Sequence, residues 1–161
     1  MPRIGVTGHM NLTAATRSLV YESIMAELAS LADSADLTGI SCIARGADSI
    51  FATAILDSGG KLEVVLPVAN YRQLKVAPED ADEFDSLLGR ASKVHIGPGE
   101  TADRAAYAAA NETLLGRSET LFAVWDGQEG IDKGSTASVV KLAHERGLDV
   151  TIIWPSGAAR G

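Results

Sequence analysis

Cysteine is almost absent. Cys42 is the only one in 161 residues, so no internal disulfide can staple the chain. It lies in an apolar run and reads as a buried, inert thiol, with a reducing cytoplasm as the matching compartment. Aromatic residues make up only 5%, so the core has to be built from Ala, Val, Leu and Ile. No apolar stretch approaches the roughly 20 residues that span a bilayer. The start, Met1-Pro2-Arg3-Ile4, lacks the basic-then-apolar layout of a signal peptide, and no membrane partner is expected. Basic residues are outnumbered, 14 against 21 acidic ones, for a formal net charge of −7. That balance argues against duplex nucleic acid, which calls for a concentrated basic face. It leaves room for a small anion held by a few backbone amides. No spacing of His, Cys and carboxylates suggests a metal site, and no cofactor is implied.

What the chain does have is alternation. Short apolar runs follow one another with helix-period segments between them, the pattern of a doubly wound, mainly parallel sheet covered on both faces, a Rossmann-like three-layer α/β/α domain. Strands are expected at 3–7, 40–44, 62–66, 93–96, 121–125 and 150–154. Thr13 predicts a helix N-cap ahead of Leu19, Val20, Ile24, Leu28 and Leu31 at helical spacing. Further helices are expected after Asp48, after Pro78, over 102–115 and over 135–146. The chain shows no repeat, linker or low-complexity tract. One domain over 1–155 is expected, with 156–161 as a flexible tail.

In open parallel sheets ligands collect beyond the carboxyl ends of the strands, and three loops have the composition for that edge. The first is Gly5-Val6-Thr7-Gly8-His9-Met10-Asn11, where Gly8 permits a sharp turn and the amides that follow can face an anion. His9 reads either as a ligand contact or as an exposed polar turn residue. The second is Arg45-Gly46-Ala47-Asp48. Arg45 can hold a phosphate or carboxylate through paired hydrogen bonds. Asp48 can meet a ribose hydroxyl, complement the next helix start, or pair with Arg45. The third runs from Asp126-Gly127 to Lys133-Gly134-Ser135-Thr136, where small residues, hydroxyls and a cation make an anion cradle at a helix N-terminus. Its bland alternative is an ordinary N-cap at Ser135 or Thr136. Asp126 is a second candidate for sugar hydroxyls. Tyr71 and Tyr107 are candidates to stack on a base, or else plugs at the domain rim. His95 and His144 read as structural.

Taken in order, these residues resemble the SLOG superfamily, the Rossmann-like nucleotide-binding group that includes lonely-guy proteins and DNA-processing protein A. The resemblance runs through Gly5-Val6-Thr7-Gly8-His9, Arg45-Gly46-Ala47-Asp48, Leu66-Pro67, Ala106-Tyr107, Leu121–Gly127 and Gly134-Ser135-Thr136-Ala137, nearly the whole chain to Pro155. The stretch 118–150 is also similar to nucleoside 2-deoxyribosyltransferases. Both groups include enzymes that break N-glycosidic bonds, and both carry a glutamate a few residues after the Gly-Thr loop. Here Ser138 and Val139 occupy the candidate positions, so the catalytic residues are unassigned. The resemblance implies more about binding than about catalysis, because phosphate cradling needs amides and small residues whereas an oxocarbenium-like centre needs a placed carboxylate.

Three functions compete. The first is binding or sensing of a small-molecule nucleotide or nucleotide derivative at these loops. The second is an N-glycosidic hydrolase or transferase in which Asp48, Asp126 or Glu129 replaces the missing glutamate. The third is a scaffold, a homodimer packed through the Ala-rich helix at 102–110.

Overall fold

The computed structural model describes residues 2–31, 36–128 and 136–161. Six strands form one sheet, β1 (Arg3–Gly8), β2 (Thr38–Ser41), β3 (Lys61–Leu66), β4 (Lys93–Ile96), β5 (Thr120–Val124) and β6 (Asp149–Ile152), in the order β4-β3-β2-β1-β5-β6. Every pairing is parallel, with Gly5 opposite Ile40 on one side and opposite Leu121 on the other. Strand order therefore runs outward from β1 to β4, then jumps back across β1 to β5. The reversal lies between β1 and β5, and such a switch point opens a crevice at the strands' carboxyl ends.

The helices are α1 (Ala14–Ala29), α2 (Ala47–Asp57), α3 (Tyr71–Lys75), α4 (Ala81–Gly89), α5 (Arg104–Gly116) and α6 (Thr136–Glu145), with a 3₁₀ turn at Pro78–Asp80. Thr13 caps α1 as its sequence predicts, its hydroxyl accepting from Thr16 N at 3.2 Å. Val20, Ile24 and Leu28 recur along α1 and pack with Ile50, Phe51, Ala54 and Ile55 of α2 against Ile4, Val6, Phe122 and Val124. Alongside, Phe84 and Leu87 of α4 cover Leu62, Val64 and Leu66. The opposite face takes Ala110, Leu114 and Leu115 of α5 and Val139 and Ala143 of α6 over Ile40, Val65 and Leu121. Each fully buried Leu, Ile or Phe contributes on the order of 1.5–3 kcal/mol. The three-layer α/β/α architecture expected from the alternation is the one observed.

Two boundaries differ from expectation. β2 covers only the four residues Thr38–Ser41, although Cys42-Ile43-Ala44 remain apolar. The Ser41 hydroxyl accepts from Ile43 N at 3.0 Å, and Ile43 turns to φ 47°, so the chain leaves the ladder while its side chains stay inside. Tyr71–Lys75 is a short helix where the sequence pattern loosens. The terminal residues lie against the start of the molecule. Ala159 N donates to Thr16 Oγ1 at 2.8 Å, Thr13 N to Ala159 O at 3.3 Å, and Leu12 pairs antiparallel with Arg160. Among the described residues no helix is long and apolar enough to cross a membrane.

Candidate functional site

The first two loops meet because Gly8 and Gly46 have no side chain. A Cβ on Gly8 would sit 2.5 Å from Ala47 Cβ and 2.7 Å from Val124 Cβ. Gly46 adopts φ +83°, and a Cβ there would strike His9 O at 2.6 Å and Met10 Cα at 2.7 Å. Ala47 N donates to His9 O at 3.1 Å, and His9 N to Val124 O at 3.1 Å. The β1–α1 loop is thus clamped between the ends of β2 and β5, at the switch point. Thr7 closes this edge from β1.

His9 is 8% exposed, which corrects the exposed-turn reading. Trp154 stands edge-on to its ring at 5.7 Å. Asp126 N donates to His9 Nε2 at 3.2 Å, an arrangement that requires a neutral ring carrying its proton on Nδ1. Burial, and then the charge of Arg160, push the His9 pKa below 6.5, and the pull of Asp126 in the other direction is weaker. If the ring is protonated, Nε2 loses its lone pair and turns to Asp126 Oδ1, 3.3 Å away. Burial would raise the Asp126 carboxyl, but the Gln128 amide, His9 and Arg160 outweigh it and hold the group below the usual carboxylate range. Gly127 sits at φ +82°, letting Gln128 N reach Asp126 Oδ1 at 3.0 Å.

On the other flank of the same loop lies a cavity of about 270 Å³ lined by Met10, Ile43, Arg45, Ser49, Tyr71 and Phe84, among others. Arg45 is exposed at this cavity and makes no ion pair with Asp48 among the described residues. Asp48 stands in the first turn of α2. Burial pushes its carboxyl up to about 7, offset only in part by a backbone hydrogen bond at Ala44. Tyr71 is buried, with Phe84 tilted against it at 6.1 Å and Tyr107 edge-on at 6.5 Å. Tyr107 is the more open ring, 36% exposed. Cys42 is held as a thiol by burial.

Of the third loop, Asp126 and Gly127 join the first loop, and Thr136 opens α6. Lys133, Gly134 and Ser135, with Glu129, lie outside the described residues. Val139 is in the core, so that position does not offer a side chain to the crevice. Sequence reasoning missed Arg160, which carries no motif, and gave Met10 and Asn11, at the end of the first loop, no role of their own. Only their neighbourhood to Gly8 and to the last strand pointed at this edge.

No protein-family model matches the chain, and no curated protein matches it either. Solved structures do. DNA processing protein A from Streptococcus pneumoniae superposes with a TM-score of 0.69 at 20% identity, covering 98% of this chain. The chain spans 52% of that protein. DNA processing protein A from Helicobacter pylori, described with a single-stranded DNA binding mode, gives a TM-score of 0.70 at 12% identity over 99% of this chain and 68% of that one. The molybdenum cofactor carrier protein of Chlamydomonas reinhardtii gives 0.57 at 19% identity over 94% and 75%. The chain shares its fold with these proteins. At these identities the likeness is one of fold, and it agrees with the resemblance carried by the loop residues.

One expectation is corrected by this fold. The partner expectation, a small-molecule nucleotide and no duplex nucleic acid, is too narrow, because the Helicobacter pylori protein that shares this fold is described with a single-stranded DNA binding mode. A charge total averages over the whole surface. A single strand needs only a few phosphate contacts at one edge, so a net charge does not decide against it.

Proposed function

We propose that the chain binds a nucleotide unit, free or within a single strand, at the carboxyl edge of β1, β2 and β5. The observation that carries this reading is the meeting of two loops over one cavity, with Met10 from the first and Arg45 from the second both lining it. Its volume, about 270 Å³, sits near the lower end of small-ligand pockets, which start at roughly 300 Å³, and suits one nucleotide rather than a dinucleotide. Apolar walls from Met10, Ile43 and Phe84 accept a base. Arg45 offers a forked donor pair to the phosphate. Asp126, ionised and partly exposed on the other flank of the loop, accepts from a sugar hydroxyl of a neighbouring unit in a strand. The cytoplasm, where such ligands abound, is the compartment this reading implies.

The test is calorimetric titration with nucleoside monophosphates and a short oligothymidylate at low salt. Saturable heat is expected for at least one probe, with Arg45→Gln weakening it about tenfold, the loss of a charge-assisted pair. No heat and no thermal shift for any probe would overturn the reading.

Asp48 favours a second reading. A carboxyl raised by burial to about 7 matches the proton donor that N-glycosidic cleavage by water requires at the departing base, although Asp48 stands behind the cavity lining and not in it. Release of free base from nucleoside monophosphates, abolished in Asp48→Asn, is the expected signature. Unchanged substrate after long incubation with concentrated protein would dispose of it.

A further inference from the structure

We propose that Arg160, carried back to the switch point by residues 156–161, is a phosphate contact of the site. This rests on the nucleotide reading and adds to its β5 flank a residue that no motif marked.

The segment is held by backbone as well as side chains. Gly161 N donates to Asn11 O at 2.6 Å, Asn11 Nδ2 to Gly161 O at 3.2 Å, and Ala159 is tied to Thr13 and Thr16 on either side of the α1 cap. Ala159 O thereby occupies the Thr13 amide, a donor that opens the first turn of α1. Where a doubly wound fold would present helix amides to an anion, this chain places a backbone carbonyl and, next to it, a guanidinium.

That guanidinium is only lightly committed. Its Nε donates to Asn11 Oδ1 at 3.3 Å, and one terminal nitrogen lies 3.7 Å from Asp126 Oδ2, too far for a hydrogen bond. The side chain is 47% exposed. Of five N–H donors, the rest meet no acceptor among the described residues. Their fork matches two phosphate oxygens. Asp126 beside it repels a phosphate but accepts a hydroxyl, so the pair reads a phosphate and a sugar hydroxyl together, the two groups that adjoin in a nucleotide. Arg160 and Asp126 lie outside the lining of the cavity that Arg45 joins, so this pair takes the phosphate and hydroxyl of a second nucleotide unit, on the opposite flank of the β1–α1 loop.

The experiment compares the full chain, Arg160→Gln and Arg160→Lys, each titrated with a ribonucleoside 5′-monophosphate and with the 5′-phosphorylated dinucleotide of the same base. Arg160→Gln is expected to weaken the dinucleotide about tenfold, to leave the monophosphate unchanged and to keep the melting temperature. Arg160→Lys restores part of the loss, since it keeps the charge without the fork. Equal dinucleotide affinity in wild type and Arg160→Gln overturns the proposal and leaves the nucleotide reading standing. Parallel losses for monophosphate and dinucleotide, with a lower melting temperature, also overturn it, because they assign the segment a structural role. A wild type that binds neither probe overturns the nucleotide reading itself and the contact with it. Independently of ligand, the His9 ring followed by NMR should titrate closer to 6.5 in Arg160→Gln. An unmoved midpoint removes Arg160 from this place.

Discussion

Glu63 gathers basic partners from three other parts of the chain. Arg117 Nε donates to its Oε1 at 2.7 Å, His95 Nε2 lies 3.1 Å from the same oxygen, and Arg3 donates to Oε2 at 2.9 Å. Burial alone would raise this carboxyl, but the hydrogen bonds of Arg117, His95 and Arg3 together hold it down at about 2. A carboxyl depressed from 4.5 to about 2 binds fewer protons folded than unfolded in that window. The stability it confers is complete above pH 4.5 and is lost as pH falls toward 2. Glu63→Gln is therefore expected to lower unfolding free energy at pH 7 by about 2–3 kcal/mol, less than for a sealed pair because water screens two partners that are 30% and 33% exposed. Urea denaturation of both proteins checks this. Curves that coincide at pH 7, or a gap that widens on acidification, would contradict it. His95 was legible as structural from its place in an apolar strand. Its partner was not, since nothing local marks a glutamate inside β3 as the centre of a cluster.

At the scale of elements, the site depends on how closely two loops approach. Gly46 combines a left-handed backbone with backbone atoms of His9 and Met10 where a Cβ would go, so Gly46→Ala is strained twice. A loss of at least about 1–3 kcal/mol is expected, together with weaker nucleotide binding, because the β1–α1 loop must move away from α2. Gly116, at the end of α5, meets nothing within 4 Å and has no positive φ, so Gly116→Ala should be neutral or stabilise by up to about 1 kcal/mol. Thermal melts of the two variants separate a special glycine from an ordinary one, and equal shifts would refute the distinction. The same contrast explains what could be read in advance. The strands over 62–66, 93–96 and 121–125 were legible within a residue, since apolar runs between turn residues allow little else. The end of β2 was not, because Ile43 stays buried after leaving the ladder and burial is all that an apolar run records. Gly8, His9, Arg45, Gly46 and Asp126 were legible as an edge, because parallel topology sends every strand's carboxyl end the same way. Arg160 was not, nor was its meeting with Asn11. They come together through an antiparallel bridge joining residues 148 positions apart, and no local pattern encodes that.

For the whole molecule, net charge and local charge point in different directions. The chain carries −7, yet the edge described above presents Arg45 on one flank of the β1–α1 loop and Arg160 on the other. A long basic face would neutralise many phosphates, whereas this edge can reach two or three. Counterion release then fixes how affinity responds to salt. With a single strand each phosphate contact contributes a slope of about −0.7 in log K against log salt, so two or three contacts give roughly −1.4 to −2.1. The acidic remainder of the surface lowers affinity overall without steepening that slope, because Debye screening, about 10 Å at 0.1 M salt, decouples distant carboxylates from the edge. Fluorescence anisotropy of a labelled oligothymidylate between low and moderate salt measures it directly. Arg160→Gln should flatten the slope by about 0.7, and Arg45→Gln by as much again. A wild-type slope steeper than about −4 would mean six or more phosphates engaged, and the ligand would then run along a surface far beyond this edge.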